Sequence, residues 1–310
     1  MISRVFGKTK PINYVQAFGF LLFCIALVLL RQMLTGQTGL HAGAQILWVF
    51  GFIIAAILGN QMNLSNQVTG HHLYSVFFVG IFVLLLPEVL QDLNALLAYF
   101  FLIIGQYRLN QIRPFETIKL KLFDASLCVL IASLFLEWSL LYYLLLWVFV
   151  YLYSPKKVRN WLVPLAALIL FFLLVYASFL LANQEDFIWN HYSLHLAKSF
   201  SFNYGNVEAQ FLIVLGFILL SLLGLREHRK SGYGKALQMR INALVFILGC
   251  IVVLLELPNG NQTYLLTFYP VALFAAKYTE AISKRWRREL WLIGFLLLAL
   301  GLFGAEWIRQ

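Results

Sequence analysis

Eleven apolar runs, each near the length that crosses a bilayer, leave this chain almost no sequence from which to build anything else. They cover residues 13–30, 43–60, 70–86, 93–106, 118–136, 138–154, 161–182, 208–225, 241–257, 263–281 and 289–306. A helix rises 1.5 Å per residue, so about 20 residues span the roughly 30 Å hydrocarbon core. The chain of 310 residues is 62% hydrophobic and 12% charged, against about 45–50% and about 25% for a soluble domain. The expected fold is therefore all-α: one polytopic membrane helix bundle over residues 1–310, of about eleven spans. The run 93–106 is the shortest and the least able to cross alone.

The segment FDASLCVLIASLFLEWSLLYYLLLWVFVYLYS, from Phe123 to Ser154, tests how the runs are divided. As one helix it would be roughly 45 Å long and would hold Glu137 near mid-membrane, where a charge is costly. As two spans it places Glu137 at the outer tip of a hairpin. Lys119 and Lys121 precede the segment and Lys156, Lys157 and Arg159 follow it. Basic residues favour the cytoplasmic side, so both ends belong on that side and the hairpin is preferred.

With the N-terminus cytoplasmic and strict alternation, 20 of the 23 basic residues fall inside; only Arg31, Lys198 and Arg309 do not. The C-terminus is then outside. The net charge of +10 reports topology and contact with anionic inner-leaflet lipid, so it gives no reason to expect a nucleic-acid partner. The opening MISRVFGKTKPINY is basic and leads into an apolar run, but Arg31-Gln32-Met33 follows in place of small residues. It reads as a retained first span. Cys24, Cys128 and Cys250 are dispersed and suggest neither a disulfide framework nor a zinc site.

The outer side collects the carboxylates. In PEVLQDLN, Glu88 and Asp92 are four residues apart, which in a helical turn sets both on one face. Such a pair can hold a divalent cation or divide acid and base roles; the alternative is two solvated acids in a loop after Pro87. The longest outer loop, residues 183–207, carries His191 and His195 at i and i+4. That spacing suits metal or substrate contact, but the loop's aromatic content favours an amphipathic segment on the interface. Arg31 either grips a lipid phosphate or snorkels from a helix end. Asp124, at the inner mouth of a span, is expected to cap its helix or pair with a nearby lysine. No phosphate-binding glycine loop or nucleophile elbow occurs. Ionisable residues are nearly absent from the middles of the spans, which counts against an ion-coupled carrier.

FGKTKPINY, FDASLCVLIASLF and the later WLVPLAAL resemble segments of an uncharacterised family of bacterial multi-pass inner-membrane proteins. The resemblance implies the bacterial inner membrane and brings no activity. That family often has glycine at the position of Ser126, a difference that bears on helix packing. More remotely, residues 70–207 resemble the layout of the C-type membrane glycosyltransferases, which use polyprenyl-phosphate-linked sugars on the outer side. The likeness rests on the Pro87-Glu88 outer turn, the basic inner segment, the short hairpin and the long outer loop. The first outer loop, RQMLTGQTGLHAG, departs from it, because it is short and has no Asp or Glu where those enzymes carry a key carboxylate.

The resemblance and the outer acids together imply a protein handling a lipid-linked glycan at the outer leaflet. Glu88 or Asp92 would deprotonate an acceptor or hold a divalent cation. Arg31, Glu137, His191 and His195 would contact the substrate, the basic groups neutralising its phosphate. The alternatives are a non-catalytic subunit scaffolding an envelope complex with a membrane-protein partner, and a transporter or flippase.

Overall fold

The computed structural model describes residues 2–35, 42–112, 118–183, 186–192, 204–226, 232–256 and 262–309. Among them there is no strand. The helices are α1 (Ile2–Phe6), α2 (Pro11–Leu34), α3 (Ala42–Ser65), α4 (Tyr74–Leu85), α5 (Leu93–Asn110), α6 (Ile118–Phe135), α7 (Tyr143–Tyr153), α8 (Val158–Leu181), α9 (Asp186–His191), α10 (Tyr204–Arg226), α11 (Tyr233–Glu256), α12 (Leu265–Ala281) and α13 (Arg285–Arg309). Three short 3-10 turns, Pro87–Leu90, Glu137–Tyr142 and Gln262–Tyr264, precede α5, α7 and α12.

Each apolar run of the sequence holds one helix. Four segments are long and apolar enough to cross a membrane: Pro11–Leu34, Val158–Leu181, Gly234–Glu256 and Arg285–Ala305. Tyr74–Leu85 and Glu137–Tyr153 are among the shorter apolar helices. The run expected over 93–106 continues to Asn110, because Gln106 and Asn110 are buried against neighbouring helices and do not end it.

Local signals explain several boundaries. Pro11 stands at the first turn of α2, where its missing N–H removes nothing. Asp92 caps α5 by accepting a hydrogen bond from the Asn94 backbone N–H at 2.8 Å. Asp124 lies in the second turn of α6, too far in to cap it. Its carboxylate is 3.6 Å from Arg108 on α5, so the partner is an arginine in place of the expected lysine.

The helices divide by burial. Every residue of α4 from Tyr74 to Leu84 is buried, and most of α12 is. Apolar on all sides, these two form the centre. Phe82 of α4 packs on Phe217 of α10 and Phe268 of α12, with centroids 4.9 and 5.6 Å away. A second apolar cluster joins α5, α6, α7, α8 and α11. At the periphery, α8 leaves Ile169, Leu173 and Leu181 at least 64% exposed, a surface suited to lipid and costly in water.

The ends of the bundle are distinct. At one, Glu289 near the start of α13 accepts a hydrogen bond from the Ser3 hydroxyl at 2.6 Å, and Glu280 of α12 meets His72 and Lys277. At the other, Arg31 near the end of α2 lies over the Phe303 ring near the end of α13. The first and last long helices therefore run parallel.

Candidate functional site

The short helices set the shape of the end that carries Arg31 and Glu88. Gly249 stands seven residues before the end of α11, and the space beside it is occupied by Thr267 and Tyr142. The Thr267 methyl and the Tyr142 hydroxyl each lie 3.1 Å from where a Cβ would be. Thr267 is the third residue of α12, so α12 starts about 7 Å below the end of α11, at 1.5 Å per residue. Both turns pack on α11, and the Pro87–Leu90 turn packs on Gln262–Tyr264. The acid-bearing 3-10 turns thus belong to a floor set below the ends of the long helices.

Glu88 is exposed on this floor. Its turn is fastened to α2, whose Gln32 side chain donates to the Pro87 carbonyl at 3.0 Å in a buried hydrogen bond. Asp92 is half-buried and extended, at φ −94° and ψ 111°. The turn and the helical Gln91, at φ −86° and ψ −31°, connect the two acids, and the chain leaves the helical path only after Asp92. One Asp92 oxygen is engaged in capping α5. Glu137 opens its own 3-10 turn and is half-buried.

Arg31 is 5% exposed, and its guanidinium sits 5.2 Å from the Phe303 centroid. Snorkelling to outer water is therefore not its arrangement; it is a buried cation laid on an aromatic face. His191 is held elsewhere. Its Nε2 is 2.8 Å from the Ser133 carbonyl of α6, and the neighbouring Tyr192 hydroxyl is 2.9 Å from the Ser133 hydroxyl. Burial pushes the Tyr192 phenol above its ordinary value, and the bond to Ser133 opposes that rise. These contacts dock α9 on α6, beside Phe172 of α8. His195 lies outside the described residues.

Neighbouring elements thus carry Arg31 and Glu88, whereas His191 belongs to the α6 side. Further polar groups lie at this end. Glu256, the last residue of α11, is buried. Ser139, Tyr142 and Thr263 are also buried, and among the described residues their hydroxyls have no hydrogen-bond partner. Leaving a hydroxyl unpaired in an apolar interior costs about 1–3 kcal/mol. Tyr142 lines a small interior space with Tyr99, Gln106 and Tyr269, whereas Ser139 and Thr263 lie in the turns themselves. No sequence signal marks a serine or threonine as unsatisfied; only the turn-forming break at Glu137-Trp138-Ser139 hinted at one of these sites. Among the described residues no three His, Cys, Asp or Glu side chains converge as a metal site would require.

Comparison with protein-family models, curated proteins and solved structures finds no match for this chain.

Proposed function

We propose that the chain is an eleven-span protein of the bacterial inner membrane, N-terminus inside and C-terminus outside, that receives the polar head of a lipid-linked substrate at the outer leaflet. The observation that carries this reading is the floor of 3-10 turns, with its buried, unpaired Ser139 and Thr263 hydroxyls. A sugar or phosphate head offers the donors and acceptors these hydroxyls lack, and its lipid tail can stay in the surrounding bilayer. Arg31 supplies a fixed positive charge, and Glu88 the exposed carboxylate. The parallel course of α2 and α13 agrees with an odd number of alternating spans. The resemblance to the C-type glycosyltransferases points to a polyprenyl-phosphate-linked sugar and, as chemistry, to glycosyl transfer with Glu88 as the proton acceptor.

A second reading rests on Asp92. Its engagement as a helix cap occupies one of its oxygens and favours a non-catalytic subunit that holds a partner in the envelope. Native mass spectrometry of the protein gently extracted from its own membrane separates the two. A retained polyprenyl phosphate or lipid-linked sugar, lost on Ser139→Val with Thr263→Val, is the expected result. A stoichiometric protein partner with no such lipid would replace the substrate reading by the scaffold.

A further inference from the structure

The opposite end of the molecule carries a separate feature. The turn between α12 and α13 reads Ile282-Ser283-Lys284-Arg285-Trp286-Arg287-Arg288. Two clefts open there on either side of Lys284. One, of about 600 Å³, is lined by Tyr278, Lys284, Arg287, Leu290 and Trp291 among others. The other, of about 720 Å³, lies between Arg4, Lys284, Arg285, Trp286 and Glu289. Lys284, Arg285, Arg287 and Arg4 are all exposed, and among the described residues none has a carboxylate partner. The one acid lining either cleft, Glu289, is engaged by the Ser3 hydroxyl and backbone N–H at 2.6 and 3.2 Å.

This concentration of positive charge runs against local preference. The first turn of α13 contains no acid, although the positive end of a helix dipole favours one. Cations set at that end repel both the dipole and each other, and an external anion relieves the repulsion. Two further observations define the anion. Trp291 lines the first cleft, and its buried indole N–H has no acceptor among the described residues. Directly along α13, Trp286, Leu290, Ile293 and Leu297 are exposed at successive steps of four, three and four residues, forming one apolar stripe. A ligand that is anionic at the turn and apolar along the stripe matches both.

We infer that the α12–α13 turn is a discrete binding site for an anionic phospholipid of the inner leaflet. The phosphate is held in the first cleft by Arg287 and Lys284, and an acyl chain lies along Leu290, Ile293 and Leu297. Arginine suits the role because its planar donors grip phosphate bidentately. Arg287 is already orientated by the Trp286 ring, 5.5 Å from its centroid. Basic clefts on the cytoplasmic side of membrane helices recognise anionic headgroups by this chemistry. The inference needs the cytoplasmic placement of this end and is independent of any substrate at the other.

The test is native mass spectrometry of the full chain in detergent, titrated with dioleoyl-phosphatidylglycerol or dioleoyl-phosphatidylcholine. One phosphatidylglycerol should be retained at least tenfold more than phosphatidylcholine. Lys284→Gln with Arg287→Gln should abolish that preference, while Arg287→Lys keeps part of it and shows that the fold survives. Lys156→Gln with Lys157→Gln, at another basic turn, should leave it unchanged. Equal retention of the two lipids, equal loss in the Lys156/Lys157 variant, or displacement by millimolar inorganic phosphate would each overturn the assignment. The first removes headgroup selection, the second makes the charge diffuse, and the third makes the site one for a free anion.

Discussion

Single side chains in this bundle differ in worth according to what surrounds them. Gln106 of α5 donates to the Asn242 side chain of α11 at 3.1 Å, and both amides are buried. Interhelical polar pairs in a membrane contribute about 0.6 kcal/mol on average, up to about 1.7. A double-mutant cycle with Gln106→Leu and Asn242→Leu should therefore give a coupling of about 1 kcal/mol, read by thermal unfolding in detergent. A coupling near zero would mean that water or other amides replace the bond. Ion pairs follow the same logic. Arg108 and Asp124 are each close to half-exposed, so Arg108→Gln should cost less than about 0.5 kcal/mol. Glu280 receives Lys277 at 3.1 Å and nearly buried His72 at 3.4 Å, so Glu280→Gln should cost more, about 1–2 kcal/mol. Equal losses in the two variants, measured under the same conditions, would contradict this ranking. At this scale the sequence was only partly legible. It placed Glu88 and Arg31 at one end of the bundle, where the structure has them on neighbouring elements. It could not show that Asp92 would be spent on a cap, or that Arg31 would lie on Phe303, because both depend on contacts made by backbone breaks and distant helices.

Helices pack here as closely as their small residues allow. A Cβ on Gly224 of α10 would lie 2.6–2.8 Å from backbone and Cβ atoms of Phe274 on α12, so the two helices meet backbone to backbone. Gly216, two turns earlier on α10, has nothing within 4 Å of its own Cβ position. The two glycines predict opposite outcomes for one chemical change. Gly224→Ala should destabilise by about 1–3 kcal/mol through overpacking. Gly216→Ala should be neutral or stabilise slightly, since alanine is favoured over glycine by about 1 kcal/mol in a helix. Thermal unfolding of both variants decides it, and similar behaviour would mean that α10 and α12 do not touch at Gly224. The existence of these helices was plain from their apolar runs. Their relative depth was not, because hydrophobicity gives a segment's length and leaves open whether it starts level with its neighbours. The recessed start of α12 emerges only where Thr267 meets Gly249.

The molecule as a whole is governed by the division at Glu137. If 118–154 were one span, every later helix would reverse, and the basic turns at Lys156 and Lys284 would face outward. The 3-10 turn at Glu137–Tyr142 breaks the segment instead and returns the chain along α7. The same division bears on which side each end faces, for the floor of 3-10 turns and for the basic turn at Lys284, so one measurement bears on both proposals. In a background with Cys24, Cys128 and Cys250 replaced by alanine, single cysteines at Asn183, Lys157 and Ser283 should respond differently to a membrane-impermeant maleimide. Asn183→Cys should react in intact cells. Lys157→Cys and Ser283→Cys should react only after the membrane is opened. Labelling of Lys157→Cys from outside would merge the two spans, reverse the later loops and place Lys284 and Arg287 at the outer leaflet. The anionic-lipid site would then lose its cytoplasmic placement. The turn at Glu137 is thus the residue-level break on which the orientation of both ends depends.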